Sequence, residues 1–344
     1  MIRIQDSHKD SSALSAYLSP IAVWALAFGS AVGWGAFVMP GTTFLPLAGP
    51  WGSVIGLFIG ATIMLVIGIS YRFLMGRYPD SGGSYTYASK VLGIDHGFLC
   101  AWMLMLTYAA IIWANSTALS LIVRYLFGDV FCFGFSYRIA GYTVYFGEVL
   151  LSITVLAASC LICFIGKRLA AYIQILCAVL LFIGISVCFT AVVIHRGGLG
   201  GISPAFSVNG DPVLQVVTIV ILAPWAFIGF ESISHSAGEF RFSPKKTLPI
   251  IAASLIFGAL AYVMLTLCAS MSVPDGFRSW SEYISSLSSF EGIQGLPTFH
   301  AAQDAMGAPG LMTLGIAAFC GIITGLIGNM IALSRLIYRL SSDK

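Results

Sequence analysis

Two of the long apolar runs in this sequence are interrupted midway by residues that weaken a helix, and one of them carries a carboxylate at the interruption. Pro224-Trp225-Ala226-Phe227-Ile228-Gly229-Phe230-Glu231-Ser232 sets an acid beside a glycine, and Gly29-Ser30-Ala31-Val32-Gly33-Trp34-Gly35 spaces three glycines through a second run. In hydrocarbon every backbone N–H and C=O must find a partner, so an unwound stretch survives only where it lines a polar cavity. An ionisable side chain at that depth costs on the order of 2.5 to 3.5 kcal/mol on insertion scales and marks a functional site by default. The pair of segments therefore predicts two membrane helices broken at mid-depth, the arrangement of a transporter.

Composition supports the membrane setting. The chain is 58% hydrophobic and 9% charged with a mean hydropathy of +0.93, whereas a soluble domain carries about 25% charged residues. Apolar runs ended by charged or Gly/Pro-rich punctuation predict eight spans, near residues 20–46, 51–75, 97–127, 142–166, 169–195, 212–239, 247–273 and 309–340. Runs of that length cross a core of roughly 30 Å as helices and are about twice what a barrel strand needs. The polar segment 1–19 reads as an N-terminal tail, and the run after it exceeds a signal peptide's core of about 7 to 15 residues. Trp51, Trp102, Tyr125, Tyr142, Tyr145 and Tyr338 fall near span ends, where amphipathic rings prefer the interface.

With the N-terminus cytoplasmic, 13 of the Lys and Arg residues fall on inner segments and four, Arg124, Arg138, Arg196 and Arg278, on outer ones. The positive-inside rule then fixes that orientation, in a cell membrane crossed several times. The polar, serine-rich loop from Val273 to Pro309 faces outward and is expected to hold a short interfacial helix. Net charge is only +3, which gives no argument for a nucleic-acid partner. Gly33 and Gly229 lie 196 residues apart, each in the first span of a half, as in inverted repeats whose discontinuous helices correspond. The first repeat would be 20–195 and a partial second repeat 212–340, within one transmembrane domain of 20–340.

The chemistry follows from the breaks. Unwinding over Ser30, Ala31, Val32 and Gly33 frees N–H groups for a carboxylate, while carbonyls around Ile228 and Gly229 would receive an ammonium group. Such a site suits an α-amino acid or an amine. Glu231 would hold a proton or form a charge pair. Glu231, His235 and Glu239, spaced i, i+4, i+8, would share one helical face as a proton relay, or else His235 and Glu239 would line a wet cytoplasmic vestibule. Gly29 and Gly33 are also spaced for a small-residue packing face. Glu148, near an outer span end, reads as a solvated edge residue. Cys160 and Cys163 read as apolar filler. Motifs of zinc hydrolases, serine hydrolases and P-loop ATPases are missing from the sequence, so no catalytic residue, metal ligand or cofactor is assigned.

At several points the chain resembles the amino acid/polyamine/organocation (APC) superfamily of permeases. The first span ends Val38-Met39-Pro40-Gly41. Tyr78-Pro79 is followed by Gly82-Gly83-Ser84-Tyr85 and Tyr87. Phe227-Ile228-Gly229-Phe230-Glu231-Ser232 continues through Gly238-Glu239 to Ser243-Pro244-Lys245-Lys246 and Pro249, and Ser334-Arg335 with Tyr338 closes the last span. The resemblance implies an all-α membrane protein, a LeuT-like inverted-repeat bundle with discontinuous helices 1 and 6, here truncated after about eight transmembrane helices. It implies a secondary active transporter of amino acids or related amines, a proton-coupled symporter or exchanger working by alternating access. It further implies Trp225 as an aromatic gate, Asn115 as a contact of the substrate side chain, Glu231 as the proton-coupling acid and the backbone of Ser30 to Gly33 as the carboxylate cradle. Trp225 has packing as its simpler role, and Asn115 an interhelical hydrogen bond. Family members have ten core spans, so a second chain or a homo-oligomer partner is expected to complete the bundle. The rival readings are a non-transporting truncated remnant or subunit of a membrane complex, and a metal-ion carrier using Glu231 and His235 as ligands.

Overall fold

The computed structural model describes residues 16–139, 142–208, 210–290 and 292–343. Most of the expected N-terminal tail, with Arg3 and Lys9, lies outside the described residues, as does Lys344. The helices, in chain order, are α1 (Pro20–Ala31), α2 (Gly35–Met39), α3 (Leu45–Arg77), α4 (Ser84–Leu92), α5 (Ile94–Phe127), α6 (Phe146–Ile165), α7 (Lys167–His195), α8 (Pro212–Ala226), α9 (Leu248–Met271), α10 (Trp280–Ser285), α11 (Pro297–Met306) and α12 (Ala308–Ser342). A π-helical turn, Pro40–Phe44, joins α2 to α3, and a 3-10 segment, Phe230–Glu239, follows α8. Between α5 and α6 a short antiparallel hairpin pairs β1 (Ser136–Ile139) with β2 (Tyr142–Tyr145), so the sixth helix starts a few residues later than the apolar run suggested.

Seven helical stretches are long and apolar enough to cross a membrane among the described residues, which makes this a multi-pass membrane protein. The eighth expected span is the divided first one: α1 has 12 residues, and its continuation runs through α2 and the π-turn into α3. Spans one and two are separated inside that run by Gly49, at φ 65°, and Pro50. Helix starts follow local chemistry. Ser19 Oγ accepts from Ala22 N at 3.4 Å ahead of Pro20. Asp211 Oδ1 accepts from Val213 N and Leu214 N at 2.8 and 3.1 Å ahead of Pro212. Each arrangement satisfies N–H groups that the helix itself leaves orphaned and places proline where no donor is needed.

The bundle packs α3 against α8 and α9, and α12 against α5 and α7. Small residues set the closeness. Gly56 and Gly60 of α3 face Ile219 and Ala223 of α8, and any Cβ on either glycine would overlap them. Tight backbone approach of this kind supplies the van der Waals contact on which helix association in lipid depends. One large apolar core spans α1, α7, α9 and α12, with Phe28, Phe44, Leu181 and Phe299 buried in it. The loop after α9 holds two helices, α10 and α11, where one was expected. Trp280 of α10 is buried, its Nε1 donating to Pro204 O at 2.9 Å, so the loop is packed onto the bundle.

Candidate functional site

α1 stops where its sequence becomes poor in helix formers. Val32 N still reaches Phe28 O at 2.9 Å, but past it the bonds shorten in register: Ala36 N to Gly33 O at 3.2 Å and Phe37 N to Trp34 O at 3.0 Å. Trp34 N, displaced from the helical ladder, donates to Asn115 Oδ1 at 3.3 Å, and Asn115 Nδ2 donates to Ile111 O of its own helix at 3.0 Å. Asn115, buried on α5, is therefore a bracket that holds the first break open. A Cβ on Gly33 would lie 2.8 Å from Asn115 Oδ1, so the glycine is also there to admit the bracket.

α8 ends just after Pro224, and Phe227, Ile228 and Gly229 form the second break. Gly229 sits at φ +111°, a left-handed conformation that side chains rarely tolerate. Its N–H donates to Glu231 Oε2 at 2.8 Å, so the acid caps the very break that precedes it. The two breaks touch. A Cβ on Gly229 would meet Ser30 O at 2.5 Å and Ala31 N at 3.1 Å, and Ser232 Oγ donates to Ser30 Oγ at 3.4 Å. Ser30, Val32 and Gly229 are buried there, while Ala31, Gly33 and Ile228 are half-buried.

Beyond Gly229 the chain continues as a ten-residue 3-10 segment rather than an α-helix. With three residues per turn, Glu231, His235 and Glu239 do not form the single α-helical face expected from their spacing. Glu231 and His235 are nevertheless joined, by a residue the sequence reading missed. Tyr108 of α5 donates to Glu231 Oε1 at 3.5 Å and lies 3.1 Å from His235 Nε2, while His235 Nδ1 lies 3.1 Å from Ser81 O. A carbonyl only accepts, so Nδ1 carries a proton, and in a neutral ring Nε2 is then an acceptor that competes with Glu231 Oε1 for the single Tyr108 proton. A tyrosine on an apolar helix gives no sequence signal of this role beyond its placement near one turn of the helix, twice over, from Asn115.

Glu239 separates from this group. It pairs with Arg335 of α12, and its Oε1 lies 3.9 Å from Lys167 Nζ. Arg335 also donates to Tyr17 at 3.2 Å, and Tyr17 N and Leu18 N donate to Glu239 O at 2.9 and 3.1 Å. His235 and Glu239 are both buried, which corrects the reading of them as residues of a wet vestibule. Glu148 is likewise no solvated edge: it is 3% exposed, bonded to Arg124 and to Tyr145 N at the start of α6. Among the described residues no group of three or more His, Cys, Asp or Glu side chains gathers as a metal site. Trp225 is 58% exposed, its ring edge 3.9 Å from where a Cβ of Gly35 would stand.

Comparison with known proteins agrees with this fold. The sequence is 24% identical over 356 residues to cationic amino acid transporter 4 of Mus musculus, covering 99% of this chain and 52% of that protein. It is 26% identical to the methylthioribose transporter of Bacillus subtilis (strain 168), covering 97% and 68%. It is 24% identical to the branched-chain amino acid permease BcaP of Lactococcus lactis subsp. cremoris (strain MG1363), covering 93% and 67%. The chain thus spans from about half to about two thirds of the length of these curated relatives. Its backbone superposes on a substrate-bound, outward-open Na+-coupled sialic acid symporter with a TM-score of 0.52 at 14% identity, over 95% of this chain and 74% of the other. That likeness is one of fold: an all-α, LeuT-like membrane bundle. The Amino acid permease family model matches residues 22–344, nearly the whole chain, and the chain belongs to the amino acid permease family.

Proposed function

We propose that this chain forms the substrate-binding part of a secondary active transporter of amino acids or related amines, working by alternating access and coupled to protons. The observation that carries the reading is the contact of the two breaks, Gly229 against the Ser30–Ala31 backbone, with a buried acid at one of them. Opening that contact exposes N–H groups of the first break to a carboxylate and carbonyls of the second to an ammonium group, opposite ends matched to one zwitterion. The relatives' names span cationic and branched-chain amino acids and methylthioribose, so the side-chain pocket, not the shared backbone, sets the substrate.

Proton coupling is assigned to Glu231. Its proton has a path through the Tyr108 hydroxyl, which lies within hydrogen-bonding reach of both Glu231 Oε1 and His235 Nε2. Substrate contact by Trp225 and Asn115 belongs to the same reading. Asn115 would act by reshaping the first break, since its amide is held by Trp34 and Ile111. The N-terminus is placed in the cytoplasm of a cell-membrane protein, with a second chain or a second copy supplying helices to the exposed side of α8.

The test has two arms. A thermal-shift screen of the purified chain against amino acids, amines and methylthioribose is expected to find a ligand that stabilises it by mass action. Indifference to all of them would sink the reading. In proteoliposomes, Glu231→Gln is expected to flatten the pH dependence of uptake, and an unaltered profile at full rate would remove the acid from proton coupling.

A further inference from the structure

A cavity of about 480 Å³ lies between α5, α6, α7 and α12, away from the two breaks. Its wall is apolar, formed by Ile112, Phe164, Met330, Ile331 and Ile337, while one end carries Lys167, Arg335 and the ring of Tyr17. An apolar trough ending in cations is the shape of an amphiphile with an anionic head.

The charges at that end do not balance. Arg335 is ion-paired with Glu239 and only 15% exposed, so that pair is closed on itself. Lys167 reaches the same carboxylate only at 3.9 Å, keeps 43% of its side chain exposed, and rests its ammonium 5.1 Å over the Tyr17 ring. Arg168 beside it is exposed. Arg335 and Lys167 thus share one carboxylate, and with the exposed Arg168 next in the chain this end of the trough carries an excess of positive charge. The same two residues open α7, with no side-chain cap and no acidic residue in its first turn, so the helix dipole there adds to the positive potential. The apolar wall includes side chains left open among the described residues: Phe164 is 90% exposed and Ile337 48%.

We infer that this trough binds one anionic phospholipid, with the phosphate at Lys167 and Arg168 and an acyl chain along Phe164, Met330 and Ile337. Basic pockets between membrane helices take anionic headgroups in this way. The site is independent of the transport reading, since it shares no residue with the broken helices. Its lipid would nonetheless bear on them, because Lys167 and Tyr17 touch the group that anchors the far end of the 3-10 segment.

The cavity contains its own reporter, Cys160, which is exposed and lies 3.8 Å from the sulfur of Met330. Modification of Cys160 by N-ethylmaleimide, resolved by peptide mass spectrometry, would be followed in neutral detergent. Short-chain phosphatidylglycerol, phosphatidylcholine of the same chain length and inorganic phosphate would be titrated in separate samples. Phosphatidylglycerol is expected to protect Cys160 at roughly tenfold lower concentration than phosphatidylcholine, with inorganic phosphate giving no protection. K167Q combined with R168Q is expected to erase the difference between the two lipids. Equal protection by both lipids in the wild-type protein, protection by neither, or a thiol already shielded by a second copy of the chain would each overturn the proposal. Should the double variant not fold, the comparison of the three ligands on the wild-type chain decides alone.

Discussion

Gly229 combines two demands that are separable by mutation. Its φ of +111° strains any side chain, and its Cα faces the Ser30 carbonyl with no space between. Gly198, at φ 115°, has the same backbone demand with nothing within 4 Å of a Cβ. Gly229→Ala is expected to destabilise the protein by about 1 to 3 kcal/mol beyond Gly198→Ala through overlap with the Ser30 backbone, read as the difference in melting temperature in detergent. An equal loss in both would reduce Gly229 to a backbone requirement. Asn115→Ala leaves Trp34 N without its acceptor at a cost of about 1 to 3 kcal/mol, whereas Asn115→Asp keeps the acceptor and should retain more of the stability. At this scale the sequence reads well where a residue has few uses. A glycine cluster or a lone acid in an apolar run has almost none besides a break, and both breaks stand where Gly33 and Gly229 indicated. Tyr108 and Glu148 were not legible because their meaning comes from partners far away in sequence: Glu231, 123 residues on, for one and Arg124, 24 residues back, for the other.

Among elements, two couplings hold segments that the bundle alone would leave loose. Arg335 ties α12 to the end of the 3-10 segment through Glu239, a pair 15% and 3% exposed. Arg335→Met abandons a buried carboxylate and should cost about 3 to 5 kcal/mol, while adding Glu239→Gln should restore part of it, as measured by a double-mutant cycle on thermal unfolding. Full additivity would show that the pair is not coupled. On the opposite end, α11 is held by Asp304, which accepts from Arg196 at 2.6 Å and from Ser272 at 2.8 Å. Burial pushes the Asp304 carboxyl up, but the Ser272 hydroxyl and the Arg196 guanidinium outweigh it and leave the group below its ordinary 3.8. A depressed carboxylate stabilises the fold above its unfolded value and loses that contribution as the pH falls through its folded one. The melting temperature is therefore expected to drop on acidification, and Asp304→Asn to lower it at neutral pH while flattening the acid fall. The 3-10 form of Phe230–Glu239 was illegible, because ten residues with one ionisable side chain every four fit a period of 3.6 as readily as any other. The helices of the outer loop are short, α10 capped by Ser279 and α11 opening on Pro297, signals too weak to place before the packing of Trp280 is known.

For the whole molecule, Lys167 and Arg196 bracket the single long helix α7, 29 residues or about 44 Å from end to end, so they stand at opposite faces of a bilayer. In a cysteine-depleted background, a membrane-impermeant maleimide added outside intact cells should label a cysteine at 196 and spare one at 167. The reverse pattern would invert the orientation given by the basic residues. The bundle itself was legible almost entirely, since eight apolar runs in lipid leave little choice but eight helical passages, while the joining of the first two runs through Gly49 was not. The stretch from Phe230 to Glu239 has one more consequence. A ten-residue 3-10 helix is drawn out by about 5 Å compared with the same residues in α form, and recoiling it would turn Glu239 by roughly 160° relative to Glu231. The acid at its upper end and the acid at its lower end therefore cannot both keep their present partners through such a recoil. With such a recoil the segment would turn as a screw thread with a latch at each end, and spin labels flanking it should then come closer together when the lower latch, Glu239 with Arg335, is cut by mutation.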